Sequence, residues 1–353
     1  MITLDVSKHW VILLPFQVKA ARTMGEELSR CIHLLRKTGN PVADAPPVTD
    51  ALGPAPEDTV PVVMLRCEEG GREKNGFVWR AGQDRIEIFG DSDRGLCNGV
   101  YDFLTVLGFS WPKPGREEAP RGDRDQPWLF PLGESWGHAP SQAIPAHRRM
   151  LLPGNRKTQD TLLSLIPWAA RNRIDALVIP PEPGRIFFSK KSNNSGIPGE
   201  LFRSLADQYA LSWEVGGWAL SSLVPRRYFL FHRDFFRMEG GKRVKEFNFC
   251  PTNPETIRLL QGEAENFFRS HPDIRVFHLW PDQGSEKKWC ACPSCRAFTP
   301  VEQNRIAVNA AADVLWKINP QARLSYYEDS DEPGTIAVRP NMFPCPGIIP
   351  APD

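Results

Sequence analysis

The chain has 353 residues, long for one compact domain, so a split into two units of roughly 100–200 residues each is expected. Lys and Arg total 43 against 42 for Asp and Glu, a net charge of +1, which gives no electrostatic reason to expect nucleic acid or an anionic membrane as partner. The 11 Trp and 34 Pro stand out, because Trp offers flat apolar faces for stacking and for cores alike and Pro fixes loop conformations.

At the amino terminus, Met1 to Gln17 carries a single Lys or Arg before a short, interrupted apolar run, and no small-residue cleavage site follows; this is a poor signal peptide. No run approaches the ~20 apolar residues of a spanning helix. The chain as written is therefore expected to be soluble and cytoplasmic, or secreted or periplasmic if the natural start lies upstream. A reducing compartment favours thiols or metal ligation over disulfides for the eight Cys.

Along the chain, Val11 to Leu14 reads as a strand, and Met24, Leu28, Cys31, Ile32 and Leu35 recur at helical spacing until Gly39. Pro41 to Pro61 reads as a loop; Val62 to Arg66, Gly76 to Arg80 and Arg85 to Phe89 read as strands. Gly90 to Gly95 then opens a helix carrying Leu96, Val100, Phe103, Leu104 and Leu107, in which Gly99 implies close packing on a sheet. This gives a small α/β domain over 1–111. Residues 112–145, rich in Pro, Gly and charge, read as a linker. From Arg148 strands and helices alternate: strands at Arg148–Leu152, Ala176–Pro180, Leu211–Val215, Ile274–Trp280 and Arg323–Tyr327, with helices at Thr158–Arg171, Glu200–Tyr209, from Asn253 onward, and around Ala307–Ile318. Such alternation predicts a parallel sheet able to close as a (β/α)₈-type barrel over 146–353. Only five strands can be counted, so the barrel is expected to be incomplete.

The most informative stretch runs from Ile274 to Cys295. There an apolar strand ends at Trp280-Pro281-Asp282 and leads into a loop with Cys290, Cys292 and Cys295. A carboxylate at the end of a parallel strand is how α/β enzymes mount a catalytic acid. Cys250, also just past a strand-like segment, supplies a fourth thiol, and four thiolates would suit tetrahedral zinc; disulfides in a secreted relative and free thiols are the other readings. Gly70-Gly71 and Gly240-Gly241 lack any phosphate-loop context and read as turns, and the seven His form no zinc-protease pattern.

Residues Ile86 to Ile88, Arg94-Gly95-Leu96, Gly99 to Leu104 and Leu107 to Trp111 resemble the amino-terminal domain of bacterial α-glucuronidases and β-hexosaminidases. Phe249 to Glu255, Asp282, Trp289 to Cys295 and Asn309 resemble a bacterial family long described only as a domain of unknown function. Some members of that family are endo-β-N-acetylglucosaminidases. The resemblance implies a hexosaminidase-like barrel with its sugar site at the carboxyl ends of the strands, no cofactor for catalysis, and a carbohydrate substrate. It implies hydrolysis of β-linked N-acetylglucosamine with assistance from the substrate's acetamido group. This sequence departs from the pattern in two respects: members usually continue well past the fifth strand, and related hexosaminidases follow the Asp with a Glu acid where this chain has Gln283. A non-catalytic carbohydrate-binding protein is therefore a second reading, and an α-glucuronidase, from the first domain alone, a third.

Glycoside hydrolysis needs a carboxyl group to protonate the leaving oxygen and a nucleophile on the anomeric carbon. Asp282 is the leading candidate and Glu214, before Gly216-Gly217, the next, those glycines allowing close backbone approach to a ligand. Glu286 and Glu328 are reserves. Arg148 or its neighbour Arg149 would hold a sugar hydroxyl or carboxylate, and Trp218, Trp280 and Tyr326 would stack on a pyranose ring.

Overall fold

A computed structural model of the chain describes residues 2–5, 10–14, 19–39, 48–50, 62–67, 75–82, 85–120, 129–132, 148–152, 159–180, 199–282, 288–327, 334–345 and 348–351. The first half contains β1 (Ile2–Asp5), β2 (Val11–Leu14), α1 (Lys19–Gly39), β3 (Val48–Asp50), β4 (Val62–Cys67), β5 (Phe77–Ala81), β6 (Arg85–Gly90) and α2 (Asp93–Val106). A five-stranded sheet runs β3-β2-β4-β6-β5, parallel except for β5. The helical stripe of α1, with Met24, Leu28, Cys31 and Leu35, is buried. Ser92 caps α2 by accepting from the Gly95 N–H. A Cβ on Gly99 would lie 2.9 Å from Ile88 and 3.1 Å from Phe77, so glycine lets α2 sit close on the sheet.

β7 (Ser110–Lys113) and β8 (Arg116–Glu118) form a hairpin, and β9 (Leu129–Leu132) pairs antiparallel with β1, Ile2 opposite Leu132. These strands fall largely in the segment whose composition reads as a linker, and β3 falls in the Pro-rich loop. Short strands bordered by Pro and Gly carry too little periodicity to be seen in the sequence.

The second half contains β10 (Arg149–Leu151), α3 (Gln159–Arg171), β11 (Ala176–Ile179), α4 (Gly199–Gln208), β12 (Ser212–Gly217), β13 (Met238–Glu239), β14 (Lys242–Arg243), α5 (Pro254–Arg269), β15 (Val276–Leu279), α6 (Pro300–Ile318), β16 (Arg323–Tyr326), β17 (Met342–Pro344) and β18 (Ile348–Pro350). Seven strands form one parallel sheet in the order β17-β16-β15-β12-β11-β10-β18. Its curl brings Arg149 of β10 to 5.2 Å from the ring of Phe343 on β17. This is the incomplete barrel the sequence implies, with two strands more than the five that periodicity reveals; β17 and β18 are three residues long and end in Pro. The helices start where the sequence caps them. Asn253 accepts from the Glu255 N–H at 2.9 Å at the head of α5, and Thr299 and Glu302 form a capping box at the head of α6.

The two sheets share one core, a continuous buried cluster from Trp10 through Phe103 and Ile166 to Leu211. Polar contacts cross the same junction: Arg94 donates to the carbonyls of Tyr209 and Ala170, both at 3.0 Å, and Arg173 reaches Asp102 at 2.7 Å. Among the described residues no helix is long and apolar enough to cross a membrane.

Candidate functional site

In strands buried on both sides, alternate residues face the helices and the barrel interior. On β12, β15 and β16 the inward residues include Glu214, His278 and Ser325, which meet Arg149 from β10. Arg149 Nε and His278 Nε2 both lie 2.6 Å from Glu214 Oε2. His278 Nδ1 bonds to the Ser325 hydroxyl, whose oxygen accepts from Trp280 Nε1 at 2.9 Å. Glu214 is 3% exposed and His278 0%, so this layer is sealed. Burial pushes the Glu214 carboxyl up, but the His278 hydrogen bond and the Arg149 charge outweigh it and leave it below its ordinary value. Burial holds His278 below its ordinary value against the pull of Glu214. Both directions agree on a neutral imidazole donating to an anionic carboxylate.

Above this layer the carboxyl ends of the strands form one end of the half-barrel, its mouth, where aromatic rings cluster. Trp218, one residue past β12, packs edge-on against Trp280 at 5.4 Å and Tyr327 at 5.0 Å between centroids. Val178, Cys345, Leu151 and Ile348 complete the cluster. Asp282, three residues past β15, is fixed at this end from three sides. Ser221 Oγ donates to its Oδ1 at 3.0 Å, Arg226 Nη2 stands 3.5 Å from its Oδ2, and its backbone N–H donates to Asn248 Oδ1 at 3.2 Å. Burial lowers the Arg226 guanidinium from its ordinary value and Asp282 opposes that shift.

Of the residues singled out from the sequence, Asp282 and Trp218 stand at the mouth and Trp280 is buried at its floor. Glu214 lies deeper, committed to Arg149 and His278. The glycines after it serve the fold: a Cβ on Gly216 would stand 1.9 Å from the His278 carbonyl oxygen, so the close approach is to the neighbouring strand and not to a ligand. Arg148 turns away from the barrel, donating its backbone N–H to Asp175 at 2.7 Å and its side chain to the Asn172 carbonyl at 2.9 Å. Its neighbour Arg149 is the inward one. Tyr326 likewise faces outward, into the core that Phe277 and Leu324 share with α5 and α6, and Tyr327 takes the place at the mouth. Glu286, Glu328 and Gln283 lie outside the described residues. The sequence reading missed His278, Ser325 and Tyr327. No polar alternation marks them, because β12, β15 and β16 are buried on both faces.

Cys250, Cys290, Cys292 and Cys295 converge in one cluster, all four buried, their Sγ atoms within 4.8 Å of one another. Hydrogen bonds from Cys290 and Cys295 hold the Cys250 thiol well below its ordinary value, and the same sharing pushes Cys290 up to about 11. A buried four-thiol group of this kind is able to hold a metal ion. A separate groove of about 260 Å³, lined by Phe268, His271, Phe277, Leu315 and Ile318 among others, opens where α5 and α6 end. That is the amino-terminal end of the strands, opposite the mouth.

No protein-family model matches the sequence, and no curated protein matches it. Solved structures do match. The chain is similar to the chitobiase of Flavobacterium johnsoniae (TM-score 0.53, 14% identity, 92% of this chain and 50% of that one). It is similar to the Streptomyces plicatus N-acetyl-β-hexosaminidase in complex with Thio-NAglucal (TM-score 0.53, 14% identity, 92% and 62%). A third is the GH20 β-N-acetylhexosaminidase of Streptomyces coelicolor (TM-score 0.50, 15% identity, 92% and 63%). What is shared is the fold. The chain spans between 50% and 63% of the length of these three enzymes.

Proposed function

We propose that the chain is a glycoside hydrolase module acting on β-linked N-acetylglucosamine, by a retaining mechanism in which the substrate's own acetamido oxygen attacks the anomeric carbon. The observation that carries this reading is Asp282 past the carboxyl end of β15, its carboxylate oriented by Ser221 and Arg226, at the same end of the sheet as the Trp218–Tyr327 pair. Those two donors suit an anion. An ionised Asp282 would accept a hydrogen bond from the acetamido N–H, turning its oxygen toward the anomeric carbon and stabilising the positive charge that develops on the ring formed. Trp218 and Tyr327 would offer ring faces or edges to the sugar. No cofactor enters the hydrolytic step, and a zinc ion on the four thiolates would be structural.

The leaving oxygen needs a proton from another group. The amide of Gln283 cannot supply one, and Glu286, four residues after Asp282 in the sequence, is the carboxyl group we assign to that role. Asp282→Asn is expected to lower release of a chromogenic aglycone from an N-acetylglucosaminide by at least about a hundredfold, with thermal stability almost unchanged. An unaltered rate would remove Asp282 from the chemistry. Gln283, standing where related enzymes carry their acid, favours the second reading, a carbohydrate-binding protein without turnover; calorimetric binding of N-acetylglucosamine oligomers with no product formed would establish that reading instead.

A further inference from the structure

We infer that Cys250, Cys290, Cys292 and Cys295 bind one zinc ion as a closed tetrathiolate centre, and that this centre holds in place the framework on which Asp282 is mounted. Cys250 Sγ lies 3.8 Å from Cys292 Sγ and 3.6 Å from Cys295 Sγ. Four sulfurs around zinc at bond lengths of about 2.3 Å form a tetrahedron with edges of about 3.8 Å. A disulfide would bring two of them to about 2.05 Å, and all four are free thiols. Two of the six separations match those edges and all lie within 4.8 Å, as sulfurs grouped around a common centre require.

The surroundings fit a multiply charged sulfur cluster. The Met238 N–H donates to Cys290 Sγ at 3.3 Å, Arg243 Nη1 stands 3.8 Å from the same sulfur, and Thr252 Oγ1 lies 3.0 Å from Cys295 Sγ. Donors of this kind offset the excess negative charge that four thiolates bring to a divalent ion. With every coordination position taken by sulfur, none is left for water or substrate, so the ion acts on structure.

Its reach to the mouth runs through Asn248. This fully buried side chain accepts from the Asp282 N–H at 3.2 Å and donates to the Lys288 carbonyl at 3.5 Å. Asn248 is two residues before Cys250, and Lys288 two before Cys290. One amide therefore links Asp282 to both ligand-bearing segments. A third segment, the β13–β14 hairpin, is tied in by the Ala291 N–H bonded to the Met238 carbonyl at 2.9 Å. Gln303 of α6 braces the ligand loop through the Cys290 N–H and the carbonyls of Cys290 and Cys295.

The role given to Asp282 rests on the hydrolase reading; the metal centre does not. The test uses the full chain purified under reducing conditions without chelator. Elemental analysis is expected to find one zinc per chain, and Cys292→Ser to lose it; cobalt exchange is expected to give thiolate charge-transfer bands. Hydrogen exchange before and after zinc removal by a chelator is expected to accelerate about tenfold or more over 236–252 and 288–298 and at the Asp282 amide, with β11 and β12 unchanged. A metal-free chain, iron in place of zinc, or disulfides among these cysteines overturns the zinc centre. Zinc removal without effect at the Asp282 amide overturns its positioning role. If Cys292→Ser fails to fold, the metal content and exchange of the unaltered chain decide. None of these readouts needs turnover, so a chain inactive as a hydrolase would leave them intact.

Discussion

The polar layer inside the barrel obeys a strict proton count. Trp280 donates to the Ser325 oxygen, the Ser325 hydroxyl donates to His278 Nδ1, His278 Nε2–H donates to Glu214, and Arg149 donates to the same carboxylate oxygen. A neutral imidazole beside an ionised carboxylate gives each of these donors an acceptor. His278 and Glu214 both bind protons more weakly in the folded chain than their ordinary values of about 6.5 and 4.3. The unfolded chain therefore takes up more protons as pH falls. The stability these groups contribute is present above those ordinary values and is lost on acidification, first for His278 and then for Glu214. Glu214→Gln should accordingly destabilise fully from neutrality down to the ordinary carboxylate value, with the difference from the unaltered chain shrinking only as pH falls below about 4.3. Urea unfolding across that range checks this; a pH-independent difference would contradict it.

At the scale of single elements, parity decides which residues reach the site. Arg148 and Arg149, and Tyr326 and Tyr327, are adjacent pairs in which one member faces the barrel interior and the other the helices or the sheet junction. A strand exposed on one side announces its inner face by polar alternation. These strands are buried on both faces and give no such cue. The packing of β12 against β15 is equally specific. Gly216 has φ +133° and its missing Cβ leaves room for the His278 carbonyl. Gly216→Ala is expected to cost at least about 2 kcal/mol, from backbone strain together with the clash. Equilibrium denaturation measures it, and a near-neutral effect would mean that β12 and β15 separate without cost.

For the whole molecule, the two sheets do not behave as independent bodies in their packing. Arg94 of α2 is 5% exposed and stands 3.5 Å from the buried Asp175 just ahead of β11, while Arg171 of α3 bonds Glu27 of α1 at 2.7 Å. Removing one partner of a buried pair strands the other, which costs about 3–5 kcal/mol. Arg94→Met is therefore expected to lower stability by about that amount, and scanning calorimetry of the unaltered chain to show one cooperative transition. Two separated transitions would show that the junction does not couple the halves.

The sequence by itself determined the order of the main elements, the capped start of α5, the strand that leads to Asp282, and the cysteines that follow it. Those features rest on local periodicity and on spacing within a loop, which neighbouring residues encode. Tertiary structure alone decided that Glu214 is sealed into an ion-pair network, that Tyr327 and not Tyr326 lines the mouth, and that β9, β17 and β18 pair as strands. Cys250 was legible as a fourth thiol, but only the fold brings it to the other three across forty residues of chain. Each of these depends on partners distant in sequence, since strand parity, edge pairing and burial exist only once the sheet has curled.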